Sequence, residues 1–169
     1  DADSRFPKMV RVAIRAIRHQ VNCILKRHQN VRLIIEIGNH DMASAIWLME
    51  CFAMFYENEP RVTVDNSPRP FHCFTFGQNM IGTHHGHSVK LASLPLLFAT
   101  DWPEQWGETK HRSIHTGHVH HDHVKESPGV TVESHGILPP QDAYAAHHGY
   151  RSKQSMKAIV LHKEFGEVA

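Results

Sequence analysis

The segment VRLIIEIGNHD, residues 31–41, decides the fold of this chain. Its first seven residues are nearly continuous in apolar character and rich in β-branched side chains, which predicts a buried strand in a sheet covered by helices. The polar turn GNHD follows, and residues 42–56 are predicted to form a helix. α/β proteins place functional sites where the C-terminal end of a strand passes into a helix. The segment therefore indicates an α/β fold with a candidate site at the turn.

The residues before this segment predict an amphipathic helix of about five or six turns by ordinary helix pitch. Apolar side chains recur at helical spacing from Phe6 to Leu25, and basic residues fill most of the other face. Asp3 or Ser4 can cap the first turn. We interpret the basic stripe as a solvated helix face rather than as a surface that binds a polyanion.

The rest of the chain predicts shorter elements, with a hairpin turn at Gly77 and Gln78. A helix is expected over 89–100, with Pro95 breaking or kinking it. Short irregular or helical stretches are expected at 102–108 and 139–150. The predicted strands are 62–64, 71–76, 79–83, 113–116, 130–134 and 156–163. We expect a single α/β domain over residues 1–169, with strands increasingly antiparallel toward the C-terminus.

Composition narrows the class of protein. The net charge of the 169 residues is +1 with histidine neutral, which does not by itself indicate a nucleic-acid-binding protein. There is no apolar run long enough to span a bilayer, so no membrane association is expected. The three cysteines are far apart and outside any Cys-x-x-Cys pair, which favours reduced, buried thiols. Residues 1–4 show no secretory signal, so a cytoplasmic location is expected. The 17 histidines are unusual, because imidazole is the commonest metal ligand.

Three polar clusters follow predicted strands: GNHD at 38–41, HHGH at 84–87 and GHVH at 117–120. A sheet can bring such turns to one edge, so distant residues can converge there. A metal site that activates water needs neutral imidazoles and oxygen donors, with one position open to solvent. In a His-x-His sequence on a strand, both side chains point to the same face. The clusters therefore predict a metal centre at the C-terminal ends of the strands.

The three clusters, in this order, resemble the calcineurin-like metallophosphoesterase superfamily, over residues 31 to about 123. The resemblance implies layered sheets flanked by helices and hydrolysis of a phosphate monoester or diester at two divalent metal ions. Mn, Fe, Zn, Co and Ni all suit a mixed nitrogen and oxygen ligand set. Members of this superfamily include protein phosphatases, 5′-nucleotidases and DNA-repair exonucleases. A nucleotide or nucleic acid is thus one expected class of substrate, and the oligomeric state is left open.

The resemblance also implies a role for individual residues. Asn39, His84 and His118 would bind the second metal, and His120 the first. The segment THHGH matches a form found in 5′-nucleotidases, which is why His84 is preferred as the middle ligand. His85 is the second choice for that ligand.

Two further residues of the GNHD turn would serve the reaction rather than the metal. His40 would protonate the leaving group or stabilise negative charge on the phosphate. Asp41 would orient His40. His87 would reach the substrate or, as we prefer, hydrogen-bond a ligand.

The chain departs from the family pattern in one respect. The family opens with Asp-x-His and Gly-Asp motifs, which supply most ligands of the first metal and the bridging carboxylate, and neither motif occurs here. Asp1 and Asp3 precede a predicted helix, so we interpret them as capping residues. We expect the missing motifs upstream of Asp1, and activity of these 169 residues alone is left open.

Three other interpretations are weighed against this one. GNHD can be a simple helix-capping turn, and the later histidines can be surface residues. The segment from His118 to His123 also fits His-x-His-x-Asp-His, the zinc motif of metallo-β-lactamase-fold hydrolases and nucleases. That motif normally lies early in its domain, and it leaves GNHD unexplained. Finally, the chain can be a metal- or nucleic-acid-binding remnant without turnover.

Overall fold

The computed structural model describes residues 6–140, 147, 149, 151 and 153–169. These residues form a mixed α/β protein and divide into two compact units. Residues 6–68 make up the first unit, and the described residues from 69 onward make up the second. Asp1, Asp3 and Ser4, and most of the stretch 139–150, lie outside the described residues.

The first unit is built from two helices and two strands. They are α1 (Phe6–Leu25), β1 (Val31–Ile34), α2 (Met42–Phe55) and β2 (Val62–Asp65). The strands β1 and β2 pair in parallel. Val21, Phe52 and Tyr56 are buried together at the core of this unit. Both helices were predicted, the first of them from apolar spacing, and the structure confirms them.

Strand β1 is shorter than predicted. It ends at Ile34, which pairs with Asp65, the last residue of β2. The carboxylate of Asp65 accepts a hydrogen bond from the backbone N–H of Ser67, which turns the chain away. Residues 35–37 lie outside the strand, although they were predicted to belong to it. Leu33 and Ile34 are half-buried rather than fully covered.

The second unit contains a five-stranded mixed sheet in the order β3-β4-β5-β7-β6. The three central strands, β4, β5 and β7, run parallel, and β3 and β6 pair antiparallel at the edges. Antiparallel strands thus lie at both edges, rather than increasing along the chain as expected. The strands are β3 (Phe71–Phe76), β4 (Asn79–His84), β5 (His111–Thr116), β6 (His123–Ser127) and β7 (Val130–Ser134).

The hairpin between β3 and β4 turns at Gly77, as predicted. Gly77 has φ +57°, and a Cβ at this position would lie 2.4 Å from the carbonyl oxygen of Lys163. The backbone N–H of Gln78 donates to that same oxygen over 2.6 Å. The turn therefore requires glycine for its backbone conformation and for the close approach of the C-terminal segment.

Helices cover one face of this sheet. A 3₁₀ turn at Leu91–Ser93 leads into α3 (Leu94–Asp101), which is followed by α4 (Pro103–Glu108). Leu94 and Phe98 are fully buried and pack against Met80, Ile114 and Val132 of the sheet. Pro95 was expected to break or kink this helix. It lies instead in the first turn of α3, where a missing backbone N–H has no helical partner to lose.

Two strand predictions differ from the structure. In place of a strand over 156–163, only β8 (Leu161–His162) forms, paired with β9 (Gly166–Glu167). Strand β6 was not predicted because its sequence, HVKES, is exposed along most of its length and lacks an apolar face. None of the described helices is long and apolar enough to cross a membrane.

Candidate metal centre

The GNHD turn lies in the first unit and leads into α2. Gly38 is buried, whereas Asn39, His40 and Asp41 are exposed. Asp41 is the N-cap residue, and its carbonyl oxygen accepts the N–H of Ala45 over 2.8 Å. Its carboxylate, however, makes no capping hydrogen bond. Helix capping therefore accounts for the backbone of Asp41 but not for its acidic side chain.

In the second unit, His84 is the last residue of β4 and is almost fully buried. Its ring stacks on Phe71 with 4.3 Å between ring centroids. Its Nδ1 accepts the backbone N–H of Gly86 over 2.9 Å, and its Nε2 lies 3.2 Å from the hydroxyl oxygen of Ser88. Because Nδ1 is an acceptor, the neutral ring carries its proton on Nε2. Both nitrogens of His84 are thus engaged within the protein.

Three other imidazoles gather beside the ends of β4 and β5. The ring centroids of His85 and His87 are 5.3 Å apart, and that of His118 lies 5.3 Å from His85 and 6.2 Å from His87. The two strands are parallel, and His84 is paired with Thr116, so both end at the same edge of the sheet. The structure therefore brings His85, His87 and His118 together at one edge of the five-stranded sheet, whereas the GNHD turn follows β1 of the two-stranded sheet rather than a strand of this one.

Backbone contacts fix this edge. The N–H of Gly117 donates to the carbonyl oxygen of His85 over 3.0 Å, and the hydroxyl of Ser134 donates to the carbonyl oxygen of Gly117 over 3.2 Å. Gly86 has φ +102°, and a Cβ there would lie only 3.1 Å from the Gly117 carbonyl oxygen. The two turns can approach this closely because residue 86 is glycine.

The His-x-His pair at 118 and 120 lies in a turn and not on a strand, since β5 ends at Thr116. His118 and His120 adopt φ values of 66° and 61°, in the left-handed region. This conformation costs an L-residue about 1–2 kcal/mol. The same-face rule for strands consequently does not apply to this pair. His118 is half-buried within the histidine group, whereas His120 is exposed.

A further group was not identified from the sequence. His115, Glu133 and His135 place nitrogen and carboxylate oxygen atoms within 4.8 Å of one another, with Glu133 buried. Burial, with a contribution from His135, lowers the pKa of His115 to about 4. A hydrogen bond from Lys157 to the Glu133 carboxylate, 2.7 Å long, raises the pKa of Lys157. The only sequence signal for this group is the two-residue spacing of Glu133 and His135.

The chain was compared with family models, with curated proteins and with solved structures. No family model, no curated protein and no solved structure matches it.

Proposed function

We propose that this protein is a metal-dependent hydrolase of phosphate esters, with a metallophosphoesterase-like layered sheet and two divalent ions at the C-terminal ends of its strands. Mn, Fe, Zn, Co or Ni would serve as the ions, and the substrate is a phosphate monoester or diester, nucleotides and nucleic acids included. The observation that carries the proposal is the grouping of His85, His87 and His118 where two parallel strands end. A cytoplasmic location belongs to the same proposal, supported by three free cysteines.

The donor set fits such ions. Neutral imidazole nitrogens and an amide oxygen suit divalent ions that keep a position for water. When bound, the ions supply positive charge for the phosphoryl oxygens and lower the pKa of a water molecule. His118, His120 and Asn39 would hold them. The left-handed backbone of His118 and His120 supports this assignment, because strained conformations concentrate at functional sites.

The hydrogen bonds of His84 bear on the choice of the middle ligand. To bind a metal through Nε2, His84 would have to move its proton to Nδ1, where the N–H of Gly86 already donates. His85 presents its ring to His118 instead, and its backbone position is held by Gly117. We therefore propose His85 as the ligand, and His84 as the buried residue that orders the Gly86 turn.

Two residues of the GNHD turn would act on the substrate. His40 is exposed, so its ring is accessible to a substrate whose leaving oxygen needs a proton. The Asp41 carboxylate, which takes no part in capping α2, would accept a hydrogen bond from His40 and hold its ring in orientation. His87, beside His85 and His118, would hydrogen-bond a ligand or reach the phosphate.

The proposal is tested with Asn39→Ala, with Asn58→Ala as the control, since Asn58 is an exposed asparagine of the same unit that bonds Glu57. Mn²⁺ binding by calorimetry is the primary measurement. Hydrolysis of bis-p-nitrophenyl phosphate with and without EDTA is measured on the protein with any residues encoded before Asp1. We expect N39A to weaken Mn²⁺ binding and lower turnover, and N58A to leave both unchanged.

Two outcomes would contradict this. Absence of metal-dependent hydrolysis in the unsubstituted protein would remove the enzyme proposal and leave a metal-binding remnant. Normal Mn²⁺ binding by N39A, combined with loss on Asp122→Ala, would favour the His-x-His-x-Asp-His zinc hydrolase instead. In the structure, one carboxylate oxygen of Asp122 accepts the N–H of Gly136 over 2.8 Å, so its backbone contact competes with that ligand role.

A further inference from the structure

Strand β5 divides its histidines between the two faces of the sheet. Ile114 belongs to the core beneath α3, and Thr116, two residues on, projects to the same face. His115 therefore projects to the opposite face. It is paired with Glu133 on the parallel strand β7, and His135, two residues beyond Glu133, continues on that face. The sheet thus aligns two imidazoles and a carboxylate away from the helix-covered side.

The distances between these side chains match those of a metal-binding set. His115 Nδ1 lies 3.0 Å from His135 Nε2 and 3.8 Å from Glu133 Oε2. Bonds of about 2.0–2.2 Å to a tetrahedral ion place the ligand atoms roughly 3.3 Å apart. These two separations lie on either side of this value, and the group as a whole places one ligand atom of each residue within 4.8 Å of the other two. A metal ion would therefore take the place of the proton that the two imidazoles share.

Neighbouring groups hold the three side chains in place. Lys157 bonds Glu133 Oε1 over 2.7 Å, which leaves Oε2 directed at His115. His115 Nε2 lies 3.1 Å from the hydroxyl oxygen of Ser113. Nδ1 of His135 is buried and has no hydrogen-bond partner among the described residues. For Glu133 and His115, partners on the far side of the ligand are typical of metal sites, because they fix tautomer and orientation.

A cavity of about 270 Å³ adjoins this group and includes His115 and Glu133 in its lining. Its other lining residues include Ser113 and Thr131, on the same face of the sheet. Space of this size admits water or a small ligand beside His115 and Glu133. The set of two histidines and one glutamate, with a fourth position open, is the composition of many catalytic zinc sites.

We propose that His115 Nδ1, Glu133 Oε2 and His135 Nε2 bind one divalent transition-metal ion, Zn²⁺ in the first instance, with a fourth position open to the cavity. This site is separate from the histidines of the proposed phosphoesterase centre. It depends on the second unit alone and does not require that the protein hydrolyse phosphate esters.

The test uses the chain with His85→Ala and His118→Ala, so that the other candidate centre is disabled. Zn²⁺ is titrated by calorimetry, and Co²⁺ by its visible absorption. We expect about one equivalent of either ion to bind. Loss of a residue that only hydrogen-bonds a ligand weakens metal binding ~10–100-fold. Adding His135→Ala should weaken binding by more than this, because it removes a ligand. The matched control is His162→Ala, because His162 is an exposed histidine of the same unit that stacks on Phe165.

Folding is checked separately. Circular dichroism is recorded for each variant, and Zn²⁺ is expected to raise the Tm of the parent but not of the variant with His135→Ala. Glu133→Gln, which keeps the side-chain volume, provides a second variant with the same expected loss. Unchanged Zn²⁺ affinity in folded H135A and E133Q chains would overturn the site. The single variant H135A keeps His85 and His118, so its hydrolysis of phosphate esters tests the phosphoesterase proposal separately. Failure of the zinc site can therefore be distinguished from failure of the proposed function.

Discussion

The backbone N–H of Gly117 donates a 3.0 Å hydrogen bond to the carbonyl oxygen of His85. This bond ties the turn after β4 to the turn after β5, and the rings of His85 and His118 meet as a result. Because the bond joins two backbone groups, it does not depend on the side chain of His85 or of His118. Substitutions of these histidines therefore report on their chemistry more than on the turn itself.

His85→Ala and His84→Ala are expected to differ in kind. H85A should lower Mn²⁺ affinity with little loss of stability, since the ring of His85 is half-buried. H84A should lower the free energy of unfolding by about 2–4 kcal/mol, since it empties a buried site stacked on Phe71. Calorimetry with Mn²⁺ and urea unfolding measure the two effects. Loss of metal binding in H84A at full stability would restore His84 as the ligand.

The left-handed backbone of His118 predicts an unusual order of stability. At φ 66°, glycine is favoured over alanine by about 1 kcal/mol, so H118G should be more stable than H118A in metal-free protein. Position 85 provides the control, because His85 is not among the described positive-φ residues. There the glycine variant should be the less stable of the two. Equal urea midpoints for H118G and H118A would show that the turn relaxes in solution.

Gly82 is expected to tolerate no side chain. A Cβ there would lie 2.4 Å from the ring of Phe98, which is fully buried. Gly82→Ala should therefore lower the free energy of unfolding by about 1–3 kcal/mol. Gly107→Ala in α4 is the control, since nothing lies within 4 Å of its added methyl group, and it should be neutral or slightly stabilising. Thermal unfolding measures both variants. Equal Tm values for G82A and G107A would contradict the close contact between position 82 and Phe98.

Tyr56 carries a hydroxyl that is buried without a hydrogen-bond partner among the described residues. Burial raises the pKa of this phenol, and Arg18 partly offsets the effect. Removing the hydroxyl breaks no hydrogen bond, so the change should cost little stability. Tyr56→Phe should therefore leave the free energy of unfolding unchanged or raise it by up to about 1 kcal/mol. Urea unfolding measures this. A loss of 1 kcal/mol or more would reveal a partner for the hydroxyl in solution.

The cysteines should differ in reactivity. Burial raises the pKa of the Cys73 thiol to about 11, so the neutral thiol predominates below that pH, and at pH 8 roughly one thiol in a thousand is ionised. Cys23 is exposed. Dithionitrobenzoate should therefore modify Cys23 much faster than Cys73 in native protein at pH 8. The Cys23→Ser variant identifies the fast phase, and persistence of that phase in C23S would contradict the assignment.

Local signals were enough to predict much of the fold. The apolar spacing of α1 and the glycine turn between β3 and β4 depend on neighbouring residues, and both were confirmed. The prediction that Pro95 breaks or kinks the helix was wrong. Proline disrupts the interior of a helix, but it is well tolerated in the first turn, where Pro95 lies. Strand β6 has no apolar face and forms by pairing with β7, a contact that its own sequence does not encode.

In the candidate site, too, some features follow from local sequence and others depend on contacts between distant segments. The strand-end position of His85 and His118 follows from local patterns, and the sequence predicted it. The pairing of His115 with Glu133 depends on the register between β5 and β7, so no short segment contains it. The hydrogen bonds of His84 likewise depend on the geometry of the Gly86 turn. Choices between adjacent histidines therefore required coordinates.

The alternation of β5 has a consequence for how this protein can change over evolutionary time. Each residue inserted or deleted within a strand reverses which side every later residue faces. A change of one residue ahead of His115 would turn it under α3 and send Thr116 to the cavity side. Such a change would disrupt the core and the His115 group in a single event. An insertion or deletion of two residues, by contrast, would leave each later side chain on its own face of the sheet.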